Sequence, residues 1–318
     1  MARLQELKYK LAAIREHWPP KATFSVNHIP DLRGRVCLVT GGYSGIGKEI
    51  AKALLERNAR VYVAGRSPGK AQAVIEELRE LTGNTGIFLD VDFSSLASVR
   101  NAGRIFLERE SDLHMLFLNA AVMGVPVAEV TPDGYDMQFG TNVVGPWYFA
   151  KLLMPALLRG KASSLDGHAR IITTSSADAY LSSIHWGTFI DSPARKKLDT
   201  MTLYFQSKLA TTIVARQLAE HYGTQGIISI AANPGEIQTD LARNSSTLYR
   251  WISSFLLYPT HMGALAPLFA GTSPDALKYN GEYLAPWGRL ARSRHEVYDQ
   301  EIGQRLWKWL EEQVDEHT

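Results

Sequence analysis

Six stretches of this chain are apolar without alternation: Arg35 to Thr40, Arg60 to Ala64, Gly86 to Asp90, Leu113 to Asn119, Ala169 to Thr174 and Ile227 to Ala232. Strands with one wet face alternate, whereas strands covered on both faces read as continuous apolar runs. Gly281 to Ala285 adds a last short strand. Between them, apolar residues recur at helical spacing: Lys48 to Arg57, Pro68 to Leu81, and a stretch from a Ser94 or Ser95 cap to Glu110. Further helical stretches follow Thr131-Pro132 with Asn142 inside, run from Tyr204 to Tyr222, and run from about Arg294 to Val314 with Ile302, Leu306, Trp309 and Leu310. Strands alternating with helices predict the α/β class: a single domain built on one doubly wound parallel sheet, helices on both faces.

The pattern divides the chain into residues 1–33, a helical extension and linker, residues 34–290, the α/β domain, and residues 291–318, a terminal helix. In residues 1–17, Leu4, Leu7, Leu11 and Ile14 fall at heptad spacing among Arg, Lys and Glu. This predicts an amphipathic helix packed on the parent domain, with a membrane surface or a second subunit as the alternative. Pro19-Pro20 ends it. Residues 177–203 read as irregular, with a basic cluster at Arg195-Lys196-Lys197. Leu248 to Tyr258 is strongly apolar and aromatic.

Composition narrows the class. Of 318 residues, 45% are apolar and 21% charged, enough for a full core. A net charge of +2 gives no reason to expect nucleic acid as a partner. The one cysteine, Cys37, lies in an apolar run and supports neither a disulfide nor a cysteine metal site. No apolar run approaches the ~18 residues of a transmembrane span, and the charged start lacks the apolar centre of a secretory signal. The expectation is a cytoplasmic protein.

The candidate chemistry centres on Tyr204 and Lys208. Of thirteen tyrosines, only Tyr204 has a lysine four residues later. Residues at that spacing share one helix face, so an ammonium beside the phenol favours the phenolate and makes a general acid/base pair. The first strand runs into Thr40-Gly41-Gly42-Tyr43-Ser44-Gly45-Ile46-Gly47 and then a helix, the context of a dinucleotide fingerprint on a Rossmann fold. Gly41 serves the tight turn, Gly45 the approach to the pyrophosphate, and Gly47 the helix packing. After the second strand stands Arg66, where NAD-binding folds place an acidic residue. A guanidinium suits a 2′-phosphate, which points to NADP(H).

These residues are similar to the short-chain dehydrogenase/reductase family over residues 34–290. The motifs that carry the likeness are Thr40-Gly41-x-x-x-Gly45-x-Gly47, Asp92 after the third strand, Asn119-Ala120-Ala121, Asn142, Ser175-Ser176, Tyr204-x-x-x-Lys208 and Pro234-Gly235-x-x-x-Thr239. The long Ser-to-Tyr insertion resembles the retinol-dehydrogenase and WW-domain-oxidoreductase branch. The lead-in Ile29-Pro30-Asp31-Leu32-x-Gly34-Arg35 and the tail Gly281 to Trp287 look most like fungal members.

The resemblance implies that Tyr204 donates the proton during carbonyl reduction, that Lys208 lowers its pKa and holds the nicotinamide ribose, and that Ser176 orients the carbonyl. It implies that Asn142 holds a water linking Lys208 to solvent, that Thr239 and the Ile237 backbone fix the carboxamide, and that Asp92 accepts from the adenine amino group. It also places Tyr43, Ser44, Ile46, Phe93, Asn119, Ala120 and Pro234 along the cofactor. There is no metal.

Three departures are visible. Ala121 replaces a family glycine, which the fold tolerates where the backbone is not left-handed. The long spacing leaves the choice of Ser176 over Ser175 to the motif. Ser44 lacks the basic residue that some NADP-dependent members carry.

Competing classes fail on named residues. Gly42-Tyr43-Ser44-Gly45-Ile46 is not a hydrolase elbow, and the nine histidines show no paired metal spacing. A nucleotide-sensing protein and a non-redox lyase or cyclase on the same fold stay open as alternatives. The expected substrate is a bulky lipophilic ketone or aldehyde, or the corresponding alcohol in reverse, and the fungal likeness suggests a polyketide-like natural-product intermediate of secondary metabolism. Residues 236–262 would cover it, with His185, Trp186 and Phe189 as further walls. A homo-oligomer is compatible with these features.

Overall fold

The computed structural model describes residues 2–164, 166–237 and 257–314. Eight strands form one sheet: β1 (Val36–Thr40), β2 (Arg60–Gly65), β3 (Ile87–Asp90), β4 (Met115–Leu118), β5 (Ala169–Thr174), β6 (Ile227–Ala232), β7 (Tyr283–Ala285) and β8 (Arg289–Ala291). Their spatial order is β3-β2-β1-β4-β5-β6-β7-β8, parallel except for the last pair. β1, β5 and β6 are buried along their whole length, as their unbroken apolar runs require. The antiparallel β8 is a correction to the sequence reading. Its three residues are too few and too exposed to leave an apolar signature.

The helices are α1 (Ala2–Glu16), α2 (Gly45–Glu56), α3 (Pro68–Thr82), α4 (Leu96–Arg109), α5 (Gly145–Ser163), α6 (Thr200–Tyr222), α7 (Leu265–Thr272) and α8 (Gln300–Val314). Ile50 and Leu54 of α2, Ile75 and Leu78 of α3, and Leu268 of α7 fill the core on one face of the sheet. Phe106 of α4, Phe149 of α5, Ile213 of α6 and Leu310 of α8 fill the core on the other. Cys37 is fully buried in the first of these cores, which pushes its thiol up to about 12. Ser95, not Ser94, caps α4, accepting from the Ser98 amide. α5 does not run unbroken from Thr131-Pro132: residues Gly140–Val144 form a π-helical turn ahead of it. The terminal helix starts at Gln300 because Arg294 to Glu296 is spent on a tight turn over His295–Tyr298.

Strand order reverses between β1 and β4, and the crevice outside their carboxyl ends is the place for a ligand in this architecture. Thr40-Gly41 leaves β1 there, and Asn119 leaves β4 there.

α1 is where the sequence reading fails most instructively. It does lie on the domain, but Leu4, Leu7, Leu11 and Ile14 face away from it, each at least 48% exposed. The docked face is Tyr9, Ala13 and Glu16. Glu16 accepts from the Tyr180 hydroxyl (3.0 Å), the Asn233 amide (2.6 Å) and the Tyr283 hydroxyl (2.7 Å). Arg294 pairs with Glu6 at 2.9 Å and lies 4.3 Å from the Tyr9 ring. Polar and aromatic partners outbid the leucines because a buried carboxylate is tolerable only where donors meet it. Burial still pushes the Glu16 carboxyl up, against the pull of those three donors.

Glu16→Ala leaves the Tyr283 hydroxyl and the Asn233 amide without this acceptor. The expected loss is about 1–3 kcal/mol for each buried group left unpaired, read as a lower urea midpoint. A midpoint equal to wild type would show that the carboxylate does not hold α1.

Candidate active site

At the end of β1, Gly41 has φ +66° and Gly45 φ +50°, backbone that favours glycine. A Cβ on Gly47 would collide with the Gly41 carbonyl, so the turn folds back on itself only with glycine there. Asn119 braces it: its amide donates to the Thr40 carbonyl at 3.0 Å. The Asn119 and Ala120 backbone amides donate to the Thr40 hydroxyl at 2.8 and 2.9 Å. Asn119 therefore shapes the turn through its side chain. Ala121 has no positive φ, so the missing glycine costs nothing.

The N-terminus of α2 opens at this turn. Ser44, its N-cap, makes no side-chain capping bond, so its hydroxyl does not compete with an outside acceptor for the first-turn N–H groups. That is the fit a pyrophosphate requires. The Tyr43 ring fills the space that a Cβ on Gly65 would take, covering the end of β2. Arg66 follows, half exposed, with its guanidinium 3.8 Å from Asp92. Asp92 also accepts from the Ser94 amide and hydroxyl. The Phe93 ring packs edge-on against Phe149 in the core, which leaves its backbone to face the cofactor crevice. Ile46 and Ile237 meet over Gly263, which brings the glycine turn and the Pro234-Gly235 turn together. Thr239 lies outside the described residues, as do Leu248 to Leu256. Tyr258 bridges Ile237 and stacks edge-on with Trp287.

The catalytic candidates converge on α6. Asp199 caps it, accepting from the Met201 and Thr202 amides. Tyr204 and Lys208 are 2% and 3% exposed, with the ammonium 5.8 Å from the phenol ring centre. Lys208 Nζ donates to the Thr174 carbonyl at the end of β5, 3.0 Å away. Burial brings Lys208 down to about 8, against the pull of Asp178. A depression of that size is on the order of 3 kcal/mol, so desolvation wins over that attraction. The expected lowering of Tyr204 by Lys208 is not what this arrangement gives. Burial holds the phenol well above its ordinary range, and the carboxylates of Asp178 and Glu236 add to the rise.

The two serines separate cleanly. Ser175 is buried and turned toward α6, 2.6 Å from the Thr212 hydroxyl. Ser176 is half-buried and donates to Asp178 at 3.0 Å, so it is the serine on the side of the acid cluster. Asn142 stands in the π-helical turn. Its amide bonds the Val122 backbone in both directions, at 2.8 and 3.0 Å, and donates to Ser207 of α6 at 3.0 Å. Its side chain thus ties α6 to the turn.

The sequence reading missed Asp178, Glu236 and His17. Asp178 folds back on Ser176 and its charge acts on both Tyr204 and Lys208. Glu236 follows the Pro-Gly turn and lies 3.5 Å from His17 of the segment after α1. Burial pushes both carboxyls up. No motif marks them; an acid two residues from Ser176 is the only signal.

Trp186 and Phe189 are a correction. Phe189 stacks on Phe139 at 4.0 Å and meets Trp309 of α8 edge-on, while Arg305 covers Trp186. They pack the insertion onto α8 and border a cavity of about 280 Å³ that no catalytic candidate lines. The His185 amide donates to Gln206 of α6.

The family model described as short chain dehydrogenase matches residues 35–249. A short-chain dehydrogenase/reductase of Armillaria gallica is 48% identical over 304 residues, 96% of this chain and 98% of that protein. One from Phomopsis amygdali is 34% identical, covering 93% of this chain and 94% of its own. Among solved structures, a short chain dehydrogenase from Burkholderia cenocepacia J2315 in complex with NADP is 26% identical with a TM-score of 0.63, covering 81% of this chain and 98% of that one. The chain belongs to the short-chain dehydrogenase/reductase family of oxidoreductases.

Asp178→Asn tests the charge cluster. The carboxylate raises both Tyr204 and Lys208, so its removal lets both lose their protons at lower pH. The alkaline fall of kcat/KM should move to lower pH than in wild type. An unchanged or higher midpoint would show that Asp178 does not act on the pair.

Proposed function

We propose that this protein is an NADPH-dependent carbonyl reductase, or the reverse alcohol dehydrogenase, acting on a bulky lipophilic ketone or aldehyde. The observation that carries the reading is the buried Tyr204–Lys208 pair on α6, anchored to the end of β5 where Ser176 emerges. When bound, the reduced nicotinamide supplies a hydride to the carbonyl carbon. Tyr204 gives its phenolic proton to the carbonyl oxygen, and the product is the alcohol. A phenol is protonated at neutral pH, as a proton donor must be, and in the free enzyme burial keeps it so. Ser176 orients the oxygen, and Lys208 holds the ribose and neutralises the phenolate as it forms.

Arg66 supports NADPH over NADH. It is the half-exposed cation at the end of β2, where a ribose 2′-phosphate would lie beyond the glycine turn. The NADP complex of the Burkholderia relative is consistent with that choice. The apolar run from Leu248 to Leu257 supports a lipophilic substrate.

The test is consumption of NADPH and of NADH, side by side, over a panel of lipophilic ketones. NADPH should be the better donor, and Tyr204→Phe should lower kcat by roughly 10²- to 10⁴-fold while cofactor binding stays near wild type. A preference for NADH, or product formed without cofactor consumption, overturns the reading. Substantial turnover by Tyr204→Phe at every pH would show that another group supplies the proton.

A further inference from the structure

The outer face of α1 carries an apolar stripe that stays exposed among the described residues. Leu4, Leu7, Leu11 and Ile14 are 60%, 52%, 48% and 50% exposed, and Trp18 just beyond the helix is 68% exposed. The spacing of three and four residues keeps them in one line. Lys8 and Arg15 flank that line on one side and Lys10 on the other, all exposed, with Lys21 following. The helix offers no free acid to balance them: Glu6 is paired with Arg294 and Glu16 is buried. We infer that α1 docks this enzyme on an anionic lipid surface, apolar stripe down and basic flanks against the headgroups.

Charge decides between occupants. Packing two copies stripe to stripe would bring Lys8, Lys10 and Arg15 of one against the same cations of the other, a like-charge arrangement that opposes a homotypic helix pair. An anionic bilayer meets both features at once: it takes up leucine and tryptophan at the headgroup boundary and attracts the flanking lysines and arginine. Among the described residues no helix is long and apolar enough to cross a membrane, so contact would be at the surface. The opposite face of α1 carries Glu16 to Asn233, and the next residue, His17, reaches Glu236. The docked helix is therefore continuous with the catalytic edge of the sheet.

The experiment is co-sedimentation of the full chain with vesicles of phosphatidylcholine containing about one third phosphatidylserine, and with phosphatidylcholine alone. Wild type should pellet with the anionic vesicles, less so at high salt, and only weakly with the neutral ones. Leu7→Glu/Leu11→Glu should bind the anionic vesicles at least roughly tenfold more weakly, as should Lys8→Glu/Lys10→Glu/Arg15→Glu, with melting temperatures near wild type because every changed residue is exposed. Failure to pellet with anionic vesicles overturns the inference, and so does equal binding by the variants. A concentration-dependent dimer that Leu7→Glu/Leu11→Glu abolishes, without lipid binding, would assign the stripe to a second copy. Capture by an acidic helical peptide in place of lipid would overturn it in favour of a protein partner.

Discussion

The structure is built around the removal of water from one lysine. Lys208 is enclosed beside Tyr204 with the Thr174 carbonyl as its hydrogen-bond partner, and that enclosure brings its ammonium down to about 8. Free in water, that ammonium would titrate far above neutral pH. α6 must therefore be held rigidly against the sheet, and several contacts do this. Ser175 and Thr212 join it to β5, Asn142 joins it to the π-helical turn through Ser207, and Asp199 fixes its first turn. The phenol and the ammonium keep their relation because a helix sets it, and the helix keeps its place because these polar ties leave it one position.

A second layer of charge surrounds the pair. Asp178 and Glu236 both raise Tyr204, while Asp178 also favours the charged form of Lys208. Together with burial, the cluster holds the phenol in its protonated form in the free enzyme. His17 reaches this cluster from the segment that α1 anchors, so the N-terminal helix completes the electrostatic surroundings of the site as well as covering the sheet edge. The same helix then presents its leucines outward. One element is polar and aromatic on its inner face and apolar and basic on its outer one, the reverse of an ordinary packed helix.

What the sequence made legible was local. Continuous apolar runs marked the buried parallel strands, and the glycine turn and the Tyr204–Lys208 spacing each lie within a few residues of chain. The parts that escaped depend on long-range partners. Nothing near Glu16 announces Tyr180, Asn233 and Tyr283, which lie more than 150 residues away. The leucines of α1 have the spacing of a packed stripe, and periodicity does not say which side the protein is on. Trp186 and Phe189 read as pocket walls for the same reason: an aromatic residue declares that it will be buried, but not against what, and here the answer was α8. Thr239 and Leu248 to Leu256 fall outside the described residues, so the lipophilic-substrate reading rests on their composition.

If burial and the two carboxylates hold Tyr204 up in the free enzyme, a nearby positive charge should bring it down. The direct measurement is an ultraviolet difference titration of wild type against Tyr204→Phe, with and without NADP⁺, whose oxidised nicotinamide carries such a charge. The account predicts that the tyrosinate signal of Tyr204 is absent up to strongly alkaline pH in the free enzyme and emerges at clearly lower pH with NADP⁺. A Tyr204 that ionises near the ordinary tyrosine value in the free enzyme, or that ionises at the same pH with and without NADP⁺, would contradict it.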